Sequence, residues 1–139
     1  MKNYNFKIQK QLLSERVSIS EVEPLISRMR ELAYFDDKVY HNILVTLTEA
    51  VNNALIHGNK LSLQKKVNIS LYCDDRILEC VIEDEGEGFD LNEIPDPRSP
   101  ENLLKDNGRG VFIINSLAKK VDYMSGENGT KVCIIFDLI

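Results

Sequence analysis

Net positive charge is missing from this chain: 17 Lys and Arg stand against 22 Asp and Glu, a formal balance of −5. Such a surface argues against a nucleic-acid footprint and against docking on an anionic membrane. Long hydrophobic runs are missing too. None approaches the roughly 20 residues that a membrane span needs, and Met1-Lys2-Asn3-Tyr4-Asn5-Phe6 lacks the apolar core of a signal peptide. Cysteine is scarce. Cys73, Cys80 and Cys133 are odd in number, lack metal-ligand spacing and sit in strand-like runs. They read as buried reduced thiols, in keeping with a cytoplasmic protein. Proline is rare and unevenly spread: three of the four, Pro95, Pro97 and Pro100, fall between Asp90 and Asn107. A connection that long in a small domain is functional or disordered.

What remains is the composition of a soluble globule, 43% hydrophobic and 28% charged. A chain of 139 residues is expected to form one domain, residues 1–139. It can bury roughly two-thirds of its unfolded surface without staples. Alternation of Tyr4, Phe6, Ile8 and Leu12 predicts a half-buried strand over Asn3–Leu13. Ser18 or Ser20 is placed to cap a helix starting near Glu21 and running to about Tyr34, with Pro24 in its first turn. Asp36-Asp37 breaks it and caps a second helix that ends at His57-Gly58. Val67–Cys73 and Ile77–Asp84 read as strands joined at Asp74-Asp75, a hairpin without the usual glycine. Val111–Ala118 reads as a helix led by glycines, although its β-branched residues leave a strand plausible. Val121–Ser125 and Thr130–Leu138 close the chain as a hairpin. This order predicts an α+β fold, a two-layer sandwich.

The second helix carries two rows. Leu47, Val51, Ala54 and Leu55 form an apolar stripe, and Glu49, Asn53 and His57 follow one another at intervals of four. A solvated face would tolerate the same residues. Read as chemistry, Asn53 offers a neutral oxygen to Mg²⁺, which takes few protein ligands. Glu49, one turn away, can accept a proton from an attacking hydroxyl. His57 reads as a helix-end or packing residue. Asp84 shares the core-facing parity of Leu78, Cys80 and Ile82, so its carboxylate needs a donor. Adenine's exocyclic amine would supply one, whereas guanine's carbonyl would be repelled. Gly86 and Gly88 would let the base approach; alone, Asp-x-Gly-x-Gly reads as a turn after a strand. Gly108-Arg109-Gly110 opens a helix, where free N–H groups attract phosphate. Arg109 could add a charged donor or simply be solvated.

Together these stretches resemble a known family. Residues 49–58, Glu49 to Gly58, resemble the N box of the GHKL ATPases, in the branch of bacterial anti-sigma-factor serine/threonine kinases. Asp84-Glu85-Gly86-Glu87-Gly88-Phe89 is similar to their first glycine box, and Asn107 to Ile114, with Gly108, Arg109, Gly110 and Val111, to the second. Pro97 and Pro100 to Leu104 resemble a short ATP lid, and Gly129-Thr130 the last box. The resemblance implies a Bergerat fold, a mixed, mostly antiparallel sheet with helices on one face. It implies ATP and Mg²⁺ as cofactors and phosphoryl transfer to a serine of an anti-sigma-factor antagonist, with a sigma factor or another regulator as a further partner. It also implies a homodimer. On this reading Glu49 is the catalytic base and Asn53 the Mg²⁺ ligand. Asp84 accepts from adenine, Gly86 and Gly88 line the base, Gly108 and Gly110 hold the phosphates, and Phe89, Arg109 and Val111 belong to the same nucleotide-binding set. Thr130 is a second adenine-side contact. The competing readings are a nucleotide-gated binding module without transfer and a detached histidine-kinase catalytic domain. His41 reads as surface, and no helix carrying a phosphoacceptor histidine accompanies the N box, which argues against a complete sensor histidine kinase.

Overall fold

In a computed structural model, residues 4–86 and 113–139 are described. They run in the order β1 (Phe6–Leu13), a 3-10 turn (Arg16–Glu21), α1 (Val22–Leu32), α2 (Asp37–Asn52), a π-helical turn (Asn53–Gly58), β2 (Lys66–Cys73) and β3 (Ile77–Glu83). After the gap, residues 113–117 are helical, followed by β4 (Lys120–Gly126) and β5 (Gly129–Asp137). The strands form one sheet in the order β1-β2-β3-β5-β4. All four pairings are antiparallel, so among the described residues the sheet is not mixed.

Period-2 alternation builds the core side of this sheet. Val67, Ile69, Leu71 and Cys73 on β2, Leu78, Cys80 and Ile82 on β3, and Val132, Ile134 and Phe136 on β5 are all buried. Against them pack Val22, Leu25, Ile26 and Met29 of α1 and Ile43, Leu47, Ala50 and Val51 of α2. Leu47, Val51 and Leu55 are fully buried and Ala54 nearly so, as the helical stripe predicts. Truncating Leu47 to alanine would cost about 2–5 kcal/mol. Asp36 caps α2, its Oδ1 accepting from the Val39 N–H at 2.9 Å. The β2–β3 hairpin turns without glycine because Asp74 Oδ1 accepts from the N–H groups of Arg76 and Ile77, both at 2.8 Å. That Asx turn replaces the turn a glycine would have made.

Three expectations are corrected. Neither Ser18 nor Ser20 caps α1: the chain enters through a 3-10 turn, the N-cap is Glu21 without a side-chain bond, and Ser20 Oγ donates to Val17 O instead. Strand β1 starts at Phe6, and only Ile8 and Leu12 of its alternating residues are buried. Tyr4 lies outside the strand and off the core side. Its hydroxyl donates to Glu79, and its ring packs on Tyr72 with centroids 5.5 Å apart. Burial and the Glu79 carboxylate push the Tyr4 phenol well above its ordinary pKa. The cysteines are free thiols, with Cys73 and Cys80 in the core and Cys133 half-buried. Burial raises the pKa of all three, that of Cys80 most clearly. Residues 113–117 bear out the helical reading of Val111–Ala118, and Ile114 within them is buried.

Candidate functional site

The end of α2, the end of β3 and the start of β5 meet around one carboxylate. Asp84 follows β3 with the parity of Ile82. Its backbone N–H donates to Thr130 O at 2.9 Å, continuing the β3–β5 ladder by one rung. Its Oδ1 accepts from two backbone N–H groups, Gly86 and Thr130, each at 3.0 Å. Its Oδ2 has no hydrogen-bond partner among the described residues. Two N–H groups on one oxygen hold the carboxylate in a single orientation and leave the other oxygen as the available acceptor.

Glycine lets the backbone close around that group. A Cβ on Gly58 would come within 2.3 Å of Asp84 Oδ2, and one on Gly86 within 2.1 Å of Gly58 O. A Cβ on Gly129 would lie 2.0 Å from Asp84 O, and Gly129 has φ +131°, a conformation that L side chains rarely adopt. Gly58 therefore ends the helix and also brings that end directly onto the strand-end acid.

Glu49 and Asn53 are on the same helix face one turn apart: the Asn53 N–H donates to Glu49 O as well as to Ala50 O. Both are half-buried, and neither side chain has a hydrogen-bond partner among the described residues. Counting back from Gly58, Asn53 is roughly 7 Å and Glu49 roughly 13 Å along the axis. The row does not extend to His57. The π turn widens the spacing, as the bond from Asn59 N to Ala54 O shows at 2.8 Å, and His57 is exposed. Its expected packing role is not seen; it stands at the helix end.

The structure thus brings together Asp84, Gly86 and Thr130, with Asn53 and Glu49 successively further back along the helix that reaches them. Gly88, Phe89, Gly108, Arg109, Gly110, Val111 and the lid lie outside the described residues. Among the described residues no three His, Cys, Asp or Glu side chains gather where they could hold a metal. Asn53 offers a neutral oxygen of the kind that suits Mg²⁺ together with the oxygens of a bound ligand.

One residue was passed over in the sequence. Asn59 is 1% exposed and makes three side-chain hydrogen bonds. An Asn just past a helix end suggests a left-handed turn residue. Asn59 is instead right-handed, at φ −85°, and the left-handed positions are Lys60 and Leu61.

Comparison with known proteins identifies the family and the fold. The chain is 25% identical over 127 residues to a serine-protein kinase RsbW from Oceanobacillus iheyensis, covering 87% of this chain and 80% of that one. It is 29% identical over 119 residues to an anti-sigma F factor from Bacillus thuringiensis, covering 82% and 73%. A solved structure of RsbU and RsbW domains from Mycobacterium tuberculosis shares the fold, at a TM-score of 0.67 and 17% identity over 96% of this chain. This chain spans 33% of that longer one. A profile described as the histidine kinase-like ATPase domain matches residues 15–136, and on that match the chain belongs to the histidine kinase-like ATPase domain family.

Proposed function

We propose that this chain is a protein serine/threonine kinase of the anti-sigma-factor type, transferring the γ-phosphoryl group of ATP to a serine of an antagonist protein. The observation that carries the reading is Asp84, with one oxygen committed to two backbone N–H groups and the other left as an acceptor. That oxygen accepts from the exocyclic amine of adenine. The base then lies at the Gly58 end, and the triphosphate runs back along α2 past Asn53 towards Glu49. The names of the relatives, a serine-protein kinase and an anti-sigma factor, support the choice of reaction and partner.

Glu49 takes the proton of the substrate serine as the serine oxygen bonds to the γ-phosphorus and the bond to the β–γ bridging oxygen breaks, releasing ADP. Asn53 Oδ1, with phosphate oxygens, would hold Mg²⁺, which neutralises charge on the triphosphate. A module that only bound nucleotide would have no use for an acid at Glu49, so that side chain favours transfer over gating alone.

Three experiments test the reading. Asp84→Asn keeps an acceptor for the Gly86 and Thr130 N–H groups but turns the free oxygen into an amide donor. ATP binding is expected to weaken by roughly 10–100-fold, the worth of a hydrogen bond to a charged group, while GTP gains relative to ATP. Equal affinity of the unmutated protein for ATP and GTP refutes the pocket. Chelating Mg²⁺ is expected to weaken ATP binding while leaving adenosine binding unchanged. Transfer itself is checked with labelled ATP and serine-bearing antagonist proteins, followed by mapping of the phosphoserine; label on a histidine would favour a histidine-kinase domain.

A further inference from the structure

We propose that Asn59 is the positioning residue for Asp84, fixing the orientation of the strand-end carboxylate and with it the choice of purine. The inference rests on the reading of Asp84 as the acceptor for the base. The Asn59 amide is used on both sides. Its Oδ1 accepts from the Glu85 N–H at 2.7 Å, and its Nδ2 donates to Ser14 Oγ and to Lys66 O, both at 2.9 Å. The orientation of the amide is unambiguous, because the Glu85 N–H can only donate and Lys66 O can only accept. Ser14, itself fully buried, passes the connection on by donating to Lys65 O.

The geometry ties three places to one side chain. Ser14 follows β1, Lys66 opens β2, and Glu85 shares a peptide plane with Asp84. Holding the Glu85 N–H fixes that peptide, and the next N–H, that of Gly86, is one of the two that orient Asp84 Oδ1. Asn59 also sits directly after Gly58, the residue whose backbone lies against Asp84 Oδ2. The helix end and the carboxylate are therefore held in register by a residue that touches neither nucleotide nor reacting atoms.

Backbone strain marks the same place. Lys60 and Leu61 are consecutive non-glycine residues at φ 52° and 57°, a conformation that persists only where its surroundings over-determine it. The anchors are the Asn59 side chain, its N–H on Ala54 O and the Leu61 N–H on Leu55 O at 2.9 Å. An apolar residue at 59 would take away the side-chain partner of the part-buried Glu85 N–H and Lys66 O. An aspartate would set an acceptor against Lys66 O.

Dissociation constants for ATP and GTP, read by displacement of a fluorescent nucleotide, test this in the unmutated protein and in Asn59→Ala, Ser14→Ala, Asp84→Ala and the Asn59→Ala/Asp84→Ala double variant. Asn59→Ala is expected to lower the ATP:GTP preference by roughly tenfold, one hydrogen bond's worth of discrimination. The double variant is expected to bind ATP no worse than Asp84→Ala, because both changes remove the same interaction. Ser14→Ala, which frees one Asn59 N–H, is expected to lower the preference by about threefold. A folded Asn59→Ala with the unmutated preference overturns the proposal, as does a double variant whose loss is the product of the two single losses. Should Asn59→Ala not fold, Ser14→Ala decides, and an unchanged preference there overturns it. If Asp84→Ala itself keeps the preference, the reading of the base pocket falls and takes this one with it.

Discussion

The carboxylates of Asp84 and Glu49 sit in opposite kinds of surroundings. Asp84 is held by two backbone N–H groups, enclosed by Gly58, Gly86 and Gly129, and backed by the buried amide of Asn59. Glu49 stands on a helix face, half-buried, with Asn53 beside it and no side-chain hydrogen bond to a described residue. One acid is held by backbone N–H groups; the other is placed by its helix without a side-chain anchor among the described residues. On the proposed reading this difference follows the task. Choosing between purines requires an acceptor that cannot turn away from the wrong base, because discrimination comes from leaving that base unpaired or repelled. Accepting a proton from an incoming protein requires reach, and in an unliganded site the catalytic hydrogen bond need not yet exist.

The sharpest way to break the comparison is at Glu49. Glu49→Ala is expected to slow phosphoryl transfer by roughly 10²–10⁴, the range for general-base catalysis, while ATP affinity stays the same. Single-turnover transfer and nucleotide titration on the same preparation separate the two quantities. Unchanged transfer removes Glu49 from the chemistry, and a matching loss of binding makes it part of the rigid end instead.

The rigid end is tested by stability. Gly129 and Gly126 face each other across the β4–β5 turn, but their surroundings differ. A Cβ at 129 would run into Asp84 O at 2.0 Å in a φ of +131°, whereas one at 126 meets nothing within 4 Å. Gly129→Ala is expected to cost about 2–3 kcal/mol, enough to lower Tm by roughly 5–10 °C. Gly126→Ala is expected to stay within about 0.5 kcal/mol. Thermal melts without nucleotide check both. Equal effects would mean that the turn, rather than the closure on Asp84, sets the requirement for glycine.

The two regions were also unequally legible. Helix and strand periods are carried by side chains, so the stripe from Leu47 to Leu55, the alternation on β2 and β3 and the inward parity of Asp84 could be read directly. The Asp36 cap and the Asp74 turn were readable because their side chains act within three residues. The enclosure of Asp84 was not. Gly58 reads as a helix stop, and nothing local says that its missing Cβ makes room for an acid 26 residues later. Asn59 follows the same logic: its partners are Ser14, Lys66 and Glu85, and no local pattern connects them. The π turn escaped because an i+4 row continues smoothly on paper where the backbone has shifted to i+5 bonding. Tyr4 departs from the strand parity because β1 begins only at Phe6.

Thr130 is the finest test, because its backbone and side chain belong to different parts of the argument. Its N–H holds Asp84 Oδ1 at 3.0 Å, and its Oγ1 lies 3.4 Å from Ser125 Oγ, a weak pairing across the hairpin. Thr130→Val keeps the N–H, the shape and the strand preference and removes only the hydroxyl. If the carboxylate does the recognising and the hydroxyl is a secondary contact to the base, ATP affinity should fall by about threefold, within the worth of a neutral hydrogen bond. The ATP:GTP preference should survive, since it resides in the Asp84 oxygen that the substitution leaves in place. A loss beyond tenfold, with the preference gone, would move discrimination from the fixed acid to a rotatable hydroxyl, and the contrast between a rigid recognising end and an adjustable reacting end would no longer hold.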